Sequence, residues 1–435
     1  MVGKWFYFEN KEDLVKTPEL NLSYHPYRVL VLSRNYPNNV LTQLGLWVKG
    51  LVQHCEPMCE LKVISPVPYC PPIAGFPEYS RFRQVVRRDC ENGVEVLHPR
   101  FFVGPGRYLY NLEALAYGLG IRRQVNILRK NFDFNLIHAH FAYPDGVVAV
   151  WLGRRFHKPV VITEHAPWRP NWMDRSNVVR RQAVWAAKQS VFQIAVSRSV
   201  RDTMIHFTKE PEKIRIIPIG VDGSTFTALH NDGKYNPNQI LYVGFINFNK
   251  GFDVLLNAMR RLTVRRPEMK LIVVGGSFYQ NTLQQEQRLR RLVQELGLSR
   301  CVEFHGIKPP VEVRRYMQES ALLVLPSRAE SFGAVLVEAL ACGTPVVATR
   351  CGGPEDIVDD KVGVLVPKEN EEALAMAMDN VLTRRDQFDA TRLRAYALEN
   401  FSWEHIAHRT VALYAETLDR FNRSHTRSLK SEADS

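Results

Sequence analysis

Two carboxylates stand eight positions apart, Glu330 and Glu338, where an apolar run gives way to a helical pattern. Leu322 to Leu325 is followed by Pro326-Ser327-Arg328-Ala329-Glu330-Ser331-Phe332-Gly333, then by the apolar periodicity Ala334 to Ala341. Gly343 and Pro345 end that helix by the usual stop signals. Glu330 thus belongs to the loop ahead of a helix N-terminus and Glu338 to the helix itself. A rise of roughly 1.5 Å per residue separates them by about 12 Å at most. That is the reach from a sugar ring across a diphosphate to a ribose. A helix N-terminus beside a glycine offers phosphate its free N–H groups and the positive end of the helix dipole. The chemistry predicted is that Glu330 accepts from sugar hydroxyls, the N–H groups of Phe332, Gly333 and Ala334 hold sugar or diphosphate oxygens, and Glu338 takes ribose hydroxyls. An isolated pair of acids at this spacing is more often a cap and a helix-surface group; the flanking pattern selects the binding reading.

The elements that must position these residues repeat one grammar: an apolar β-branched run, a loop with Gly or Pro, and an amphipathic helix. Arg28 to Ser33 leads through Pro37 and Gly45 to Leu46–Gln53, and Gln239 to Gly244 leads through Lys250 and Gly251 to Phe252–Leu262. Further runs at Leu61–Ser65, Leu136–Ala139, Val160–Thr163, Gln193–Val196, Lys270–Val274 and Val346–Ala348 read as buried strands. Continuous apolar strands alternating with helices imply parallel sheets covered on both faces. The expectation is α/β, two doubly wound Rossmann-like domains, residues 1–225 and 226–400, with the boundary in the turn-rich Pro218–Ser224 and polar Asn231–Asn238. An amphipathic helix follows over 401–421, N-capped by Ser402 and crossing back to the first domain, and 422–435 reads as a disordered polar tail. Ligands of open α/β sheets sit beyond the carboxyl ends of the strands, so two facing domains make a cleft.

Composition narrows the class. The 435 residues are 45% hydrophobic and 23% charged, which excludes both a disordered chain and a fibre. Seven scattered cysteines without paired CxxC spacing fit a reducing compartment, and Cys55, Cys59 and His54 lack the second cluster a metal site needs. The opening residues carry Glu9, Lys11 and Glu12 and lack a secretory pattern, and no apolar run approaches the roughly 20 residues of a membrane span. The expected location is cytoplasmic, or peripheral on the cytoplasmic face of a membrane. The net charge of +12 concentrates in the first half, as in Arg81, Arg83, Arg87, Arg88, Arg122, Arg123, Arg129 and Lys130, and attracts polyanions. Nucleic acid is not the expected partner, since stacking aromatics are sparse among these arginines and no nucleic-acid motif appears.

The segment PSRAESFGAVLVEALACGTPVVATRCGGPEDIV resembles the signature of retaining family-4 glycosyltransferases of the GT-B fold. The likeness extends over nearly the whole chain through YPNNVLTQLGLWVKGLV, FNLIHAHFAYPDG, VVITEHA, AVSRSVRD, IRIIPIGVD, LYVGFINFNKGFDVLLNAM, LIVVGG and VEFHGIKP, and the first half most resembles bacterial transferases of exopolysaccharide and teichuronic-acid synthesis. The resemblance implies transfer of a hexosyl residue from a UDP- or GDP-sugar to a polyprenyl-diphosphate-linked or glycan acceptor, with no further cofactor. It implies diphosphate contacts for Lys250, sugar contacts for His165 near the reacting carbon, and backbone contacts at Gly45. It places Gly244 and Gly275 near the nucleotide, and Gly306 and Ile307 at its base.

Two positions depart from the family pattern. Phe245 replaces the arginine that commonly follows the strand glycine, so Lys250 and backbone donors act alone or another cation, Arg328, substitutes. Ile219 replaces a frequent asparagine, a change of loop packing. No D-x-D motif is present, and diphosphate neutralisation is expected to be metal-independent. His138 and His140 alternate along a strand end, so at most one is expected to face the cleft. Front-face departure and attack is the preferred mechanism, Asp145 and Glu164 being the carboxylates nearest in sequence for a double displacement. GT-B epimerases and phosphorylases are the alternatives among enzymes. Tyr108 to Lys130 joins an apolar face (Leu109, Leu112, Leu115, Leu119) to a cationic end, as interfacial helices do, and is expected either to meet an anionic membrane or to pack on the core.

Overall fold

The computed structural model describes residues 27–69, 77–104, 110–168, 176–228, 235–276 and 280–433. Tyr108, Leu109 and the opening segment lie outside the described residues.

The first half supplies ten strands: β1 (Arg28–Leu32), β2 (Glu60–Ile64), β3 (Val67–Tyr69), β4 (Arg88–Glu91), β5 (Val94–Leu97), β6 (Arg100–Phe102), β7 (Leu136–His140), β8 (Val160–Glu164), β9 (Phe192–Ala195) and β10 (Ile214–Ile216). Its helices are α1 (Leu46–Cys55), α2 (Glu113–Asn131), α3 (Val147–Phe156), α4 (Asn177–Gln189) and α5 (Arg198–Thr208). Eight strands form one sheet in the order β10-β9-β8-β7-β1-β2-β5-β4, parallel except for β4 at the edge, while β3 and β6 pair separately. The second half supplies β11 (Asn236–Val243), β12 (Lys270–Val274), β13 (Val302–Gly306), β14 (Ser320–Leu325), β15 (Val346–Arg350) and β16 (Gly363–Pro367), a parallel sheet ordered β13-β12-β11-β14-β15-β16. With it come α6 (Phe252–Arg265), α7 (Gln280–Glu295), α8 (Pro310–Glu319), α9 (Ala334–Ala341), α10 (Glu371–Thr383), α11 (Ala390–Phe401) and α12 (Trp403–Ala433).

The central strands are apolar because both faces are covered: every residue of β7, β8 and β14 is buried. The strand order reverses beside β1 in one sheet and β11 in the other, and the loops leaving these strands and β8, β12, β13 and β14 carry the expected site residues.

The chain crosses between the halves twice, and the crossings are tied together. Val221 N–H donates to Phe401 O at 2.7 Å, and Trp403 N–H to Val221 O at 3.2 Å. Ser402 caps α12 by accepting from His405 N–H at 3.3 Å. Trp403, Ile406 and Tyr414 of α12 then join Val29, Val31 and Val48 in a buried cluster of the first half. Through the residues expected to form a polar tail, α12 continues as helix to Ala433. Polarity alone does not stop a helix; this stretch contains no Gly or Pro, and Ser424 and Thr426 donate their hydroxyls to carbonyls one turn back.

Candidate active site

The side expected to hold the donor is built from the loops after β14 and β11. Glu330 is pinned by its backbone: its N–H donates to Cys351 O at 3.2 Å and its carbonyl accepts from Gly353 N–H at 2.9 Å. Its side chain accepts from Lys250 Nζ at 2.5 Å and from Ser327 Oγ at 3.3 Å. Lys250 reaches it because the turn before α6 is tight. Gly251, at φ 64°, opens α6 so close to the β14 loop that a Cβ there would lie 1.9 Å from Pro326 O. No side chain fits, and the contact brings together groups 80 residues apart.

Gly333 opens α9 at φ 98°, and among the described residues no acceptor takes the N–H groups of Gly333, Ala334 or Val335. Phe332 turns its ring away to pack on Phe401, centroids 5.8 Å apart, so it offers backbone only. Glu338 lies one turn into α9, partly exposed, and burial of its carboxyl lifts its pKa to about 7. Its carboxyl makes no hydrogen bond or ion pair among the described residues, while its carbonyl accepts from Cys342 N–H at 3.1 Å.

The glycines expected near the nucleotide serve first to lock strand ends together. Gly244 N–H donates to Val274 O at 3.0 Å and Gly275 N–H to Gly306 O at 2.8 Å. A Cβ on Gly275 would stand 2.0 Å from Gly244 O. These two N–H groups are therefore engaged within the chain, while Ile307 stands 47% exposed just beyond. Phe245 is 38% exposed, and its carbonyl accepts from Tyr242 Oη at 2.6 Å. Arg328 does not replace the absent arginine. Its guanidinium is bidentate to Asp253 at 2.8 Å and 2.8 Å, bonds Glu369 at 2.9 Å and also reaches Phe248 O. Held by two acids through its planar fork, it braces the start of α6.

On the opposite side Gly45, at φ 68°, opens α1, and His165 follows β8. His138 and His140 share one face, contrary to the alternating placement expected, because residues two apart in a strand point the same way. Their rings lie 4.5 Å apart. His140 Nδ1 is 2.9 Å from His165 Nε2, and His138 sits between Tyr414 Oη and Thr163 Oγ1 at 2.7 Å each. Burial lowers all three pKa values, to about 3 for His138 and His165, so the rings are neutral. Among the described residues no group of His, Cys, Asp or Glu is arranged to hold a metal ion.

Asp145 and Glu164 are turned inward. Asp145 accepts from Arg34 N–H at 2.8 Å and Tyr117 Oη at 3.2 Å; Glu164 accepts from Trp168 Nε1 at 2.8 Å, Ala142 N–H at 3.1 Å and His165 N–H at 3.2 Å. Both are fully buried and their pKa values are pushed up to about 7, chiefly by burial.

The family model of Glycosyltransferase Family 4 matches residues 48–224, and that of Glycosyl transferases group 1 matches residues 229–399. D-inositol 3-phosphate glycosyltransferase of Corynebacterium jeikeium (strain K411) is 32% identical over 308 residues, 65% of this chain and 73% of its own. The chain is a family-4 glycosyltransferase of the GT-B fold. Alpha-maltose-1-phosphate synthase of Mycolicibacterium smegmatis (strain ATCC 700084 / mc(2)155) is 27% identical across 89% of this chain and 98% of its own. Among solved structures, sucrose-phosphate synthase from Thermosynechococcus elongatus superposes with TM-score 0.73 at 20% identity, covering 90% of this chain and 98% of that one. Anabaena HepE in complex with UDP-glucose superposes with TM-score 0.67 at 21% identity, covering 89% and 99%.

Three features of this glycosyltransferase escaped the sequence reading. Trp47, in the first turn of α1, packs its ring 5.9 Å from that of His165, and its Nε1 is buried with no partner among the described residues. Its position after Gly45 was the available signal. Arg198, at the start of α5, bridges the halves: Nε bonds Asp356 Oδ1 at 2.5 Å and N–H bonds Oδ2 at 2.6 Å. Asp356 belongs to the turn Gly353–Asp356, whose first residue holds Glu330, so closure of the two halves touches the Glu330 loop directly. The third is Tyr414, which carries α12 to His138. The donor side thus joins a cation, a carboxylate and free N–H groups, the set that suits a sugar diphosphate.

Proposed function

We propose that the enzyme transfers a hexosyl residue from a UDP- or GDP-sugar, with retention and without a metal, to a lipid-linked or glycan acceptor in cell-surface polysaccharide synthesis. The observation that carries this reading is the Lys250–Glu330 ion pair in the loop ahead of the free N–H groups of α9. Lys250 and those N–H groups stabilise the charge that builds on the leaving diphosphate, while Glu330 orients the sugar hydroxyls. Glu338 accepts from the ribose hydroxyls. Gly306 and Ile307 line the base site.

Between the two retaining routes, front-face attack is supported over double displacement because Asp145 and Glu164, the carboxylates nearest in sequence for the latter, are both hydrogen-bonded inside the first half. The anomeric C–O bond to the diphosphate breaks, the acceptor oxygen bonds the same face, and its proton passes to the departing phosphate oxygen. In this reading His165 contacts the sugar.

The acceptor side faces a lipid surface in this reading. α2 buries Ala114, Tyr117, Ile121, Val125 and Leu128 and leaves Leu115 and Leu119 50% and 62% exposed. Between α2 and α3 lies a groove of about 270 Å³ whose walls include Leu115, Leu119, Trp151, Arg122 and Arg155 and no acid. Apolar side chains rimmed by arginines fit the boundary of an anionic membrane. Among the described residues no helix is long and apolar enough to cross one.

The test is a panel of UDP- and GDP-sugars with polyprenyl-diphosphate, glycan and sugar-phosphate acceptors, scored for free nucleoside diphosphate and glycosylated product. Sugar phosphates, with inositol phosphate, are included because similar proteins are named for inositol 3-phosphate, maltose-1-phosphate and sucrose-phosphate, and transfer to these alone counts against the polysaccharide role. Product with the donor's anomeric configuration, formed in excess chelator, supports the reading. An inverted product, epimerised nucleotide sugar without acceptor, or released sugar phosphate overturns it.

A further inference from the structure

The imidazoles beside the cleft constrain one another. His140 is fully buried in β7, and its Nδ1 lies 2.9 Å from His165 Nε2. Two neutral rings at this distance share a single proton, so the tautomer of one dictates that of the other. Burial keeps both neutral.

Each arrangement leaves one N–H outside the shared contact. With the proton on His165 Nε2, His140 carries its own on Nε2, an atom that is buried and has no partner among the described residues. With the proton on His140 Nδ1, the outward N–H is on His165 Nδ1, also buried and unpartnered among the described residues but on a residue that keeps part of its surface exposed. His140 is enclosed on every side, whereas His165 keeps an exposed part from which a ligand reaches its donor, and unpaired buried N–H groups are rarer than unused lone pairs.

We infer that His140 is a positioning residue that holds His165 as its Nδ1–H tautomer, so that His165 donates to an oxygen of the bound sugar. The second donor is Trp47 Nε1, buried and unpartnered with its ring against His165. A pair of neutral donors suits hydroxyl and ether oxygens and offers nothing to a cation. The tautomer stands on the geometry alone; the sugar as its target rests on the proposed function.

The tautomer is read directly in a two-bond ¹⁵N–¹H correlation spectrum of the full chain labelled with ¹⁵N-histidine, the His165 signals being assigned with His165→Gln. Protonation at Nδ1 is expected, and protonation at Nε2 or at both nitrogens overturns the inference. His140→Phe removes the shared proton, and His165 then reverts to the Nε2–H form that free histidine prefers. Transfer in this variant is expected to lose roughly ten- to a hundredfold in kcat/KM, the scale of one misdirected hydrogen bond. His140→Asn, whose amide donates from the Nδ1 position, is expected to keep both the tautomer and activity within about threefold. A flipped tautomer with unchanged kcat/KM overturns the positioning role. Should His140→Phe fail to fold, the wild-type spectrum and the Asn variant still decide. An Nδ1–H tautomer in an enzyme that transfers no sugar sinks the proposed function and leaves the tautomer standing.

Discussion

Lys250 Nζ lies 2.5 Å from Glu330 Oε2, each residue in the first loop past its own strand. The cation proposed for the leaving diphosphate and the carboxylate proposed for the sugar are thus one ion pair, and each holds the other in place. Glu330→Gln is expected to lower kcat by roughly 10² to 10³ while nucleoside diphosphate still binds. Lys250→Met is expected to weaken nucleoside diphosphate binding as well, and the double variant to lose less than the product of the two single losses, as coupled neighbours do. Steady-state kinetics with calorimetric titration of UDP and GDP measures all three.

Glu338 has a carboxyl that burial raises to about 7. Ribose hydroxyls donate to its ionised form, so donor affinity is expected to fall as pH drops below about 7, approaching tenfold per unit. Glu338→Gln should flatten that dependence and bind donor more weakly at pH 8. Titrating nucleotide affinity between pH 6 and 8 checks the sign; stronger binding at lower pH contradicts the ribose contact.

Phe245 and Arg328 make opposite predictions. Phe245→Arg introduces a cation beside the diphosphate and is expected to tighten nucleotide binding about tenfold at low salt, less so at high salt. Arg328→Met breaks the bidentate bond to Asp253 and is expected to lower the Tm while shifting nucleotide affinity less than threefold, because its guanidinium is engaged by Asp253 and Glu369. Thermal melts and nucleotide titration of both variants separate a brace from a ligand.

The α2–α3 face carries the membrane reading. Wild-type enzyme is expected to co-sediment with vesicles containing phosphatidylglycerol in preference to neutral ones, and less so as salt rises. Leu119→Asp should remove most of that binding through the apolar part, and Arg122→Glu with Arg155→Glu through the charge. Both side chains of the pair and Leu119 are exposed, so the Tm should move little. Equal partition to neutral and anionic vesicles rejects the surface.

Stability against pH has two opposed parts. Asp145, Glu164 and Glu338 are raised to about 7 from 3.8, 4.5 and 4.5, chiefly by burial, so the folded state keeps protons the unfolded chain releases and their contribution falls as pH rises toward 7. His138, His140 and His165 are lowered from 6.5 by burial, His138 and His165 to about 3, so the contribution of these three is complete above 6.5, opposes that of the three acids and falls as pH drops through that window. The Tm is therefore expected to vary little between about pH 4.5 and 6.5 and to drop below about pH 4, where the histidines act alone. Glu164→Gln removes one acid and should tilt the plateau so that the Tm rises with pH; calorimetry across that range tests the sign.

Sequence by itself determined the two parallel sheets and the loop from Pro326 to Gly333, because both are written locally. Apolar runs such as β7, β8 and β14 announce strands covered on both faces, and a loop entering α9 keeps its glycine, its free N–H groups and its two acids within one contiguous stretch. The shared face of His138 and His140 was also legible there, in the two-residue period of a strand. Only the tertiary structure decided which charges meet. Lys250 joins Glu330 across 80 residues and Arg328 turns to Asp253 across 75, although all four lie beside the same two loops. It also decided that α2 buries Tyr117 and Ile121 while Leu115 and Leu119 face outward, and that Tyr414 of α12 reaches His138 across 276 residues. Partner choice of this kind depends on distance and desolvation in the folded chain, and neither is a property of local sequence.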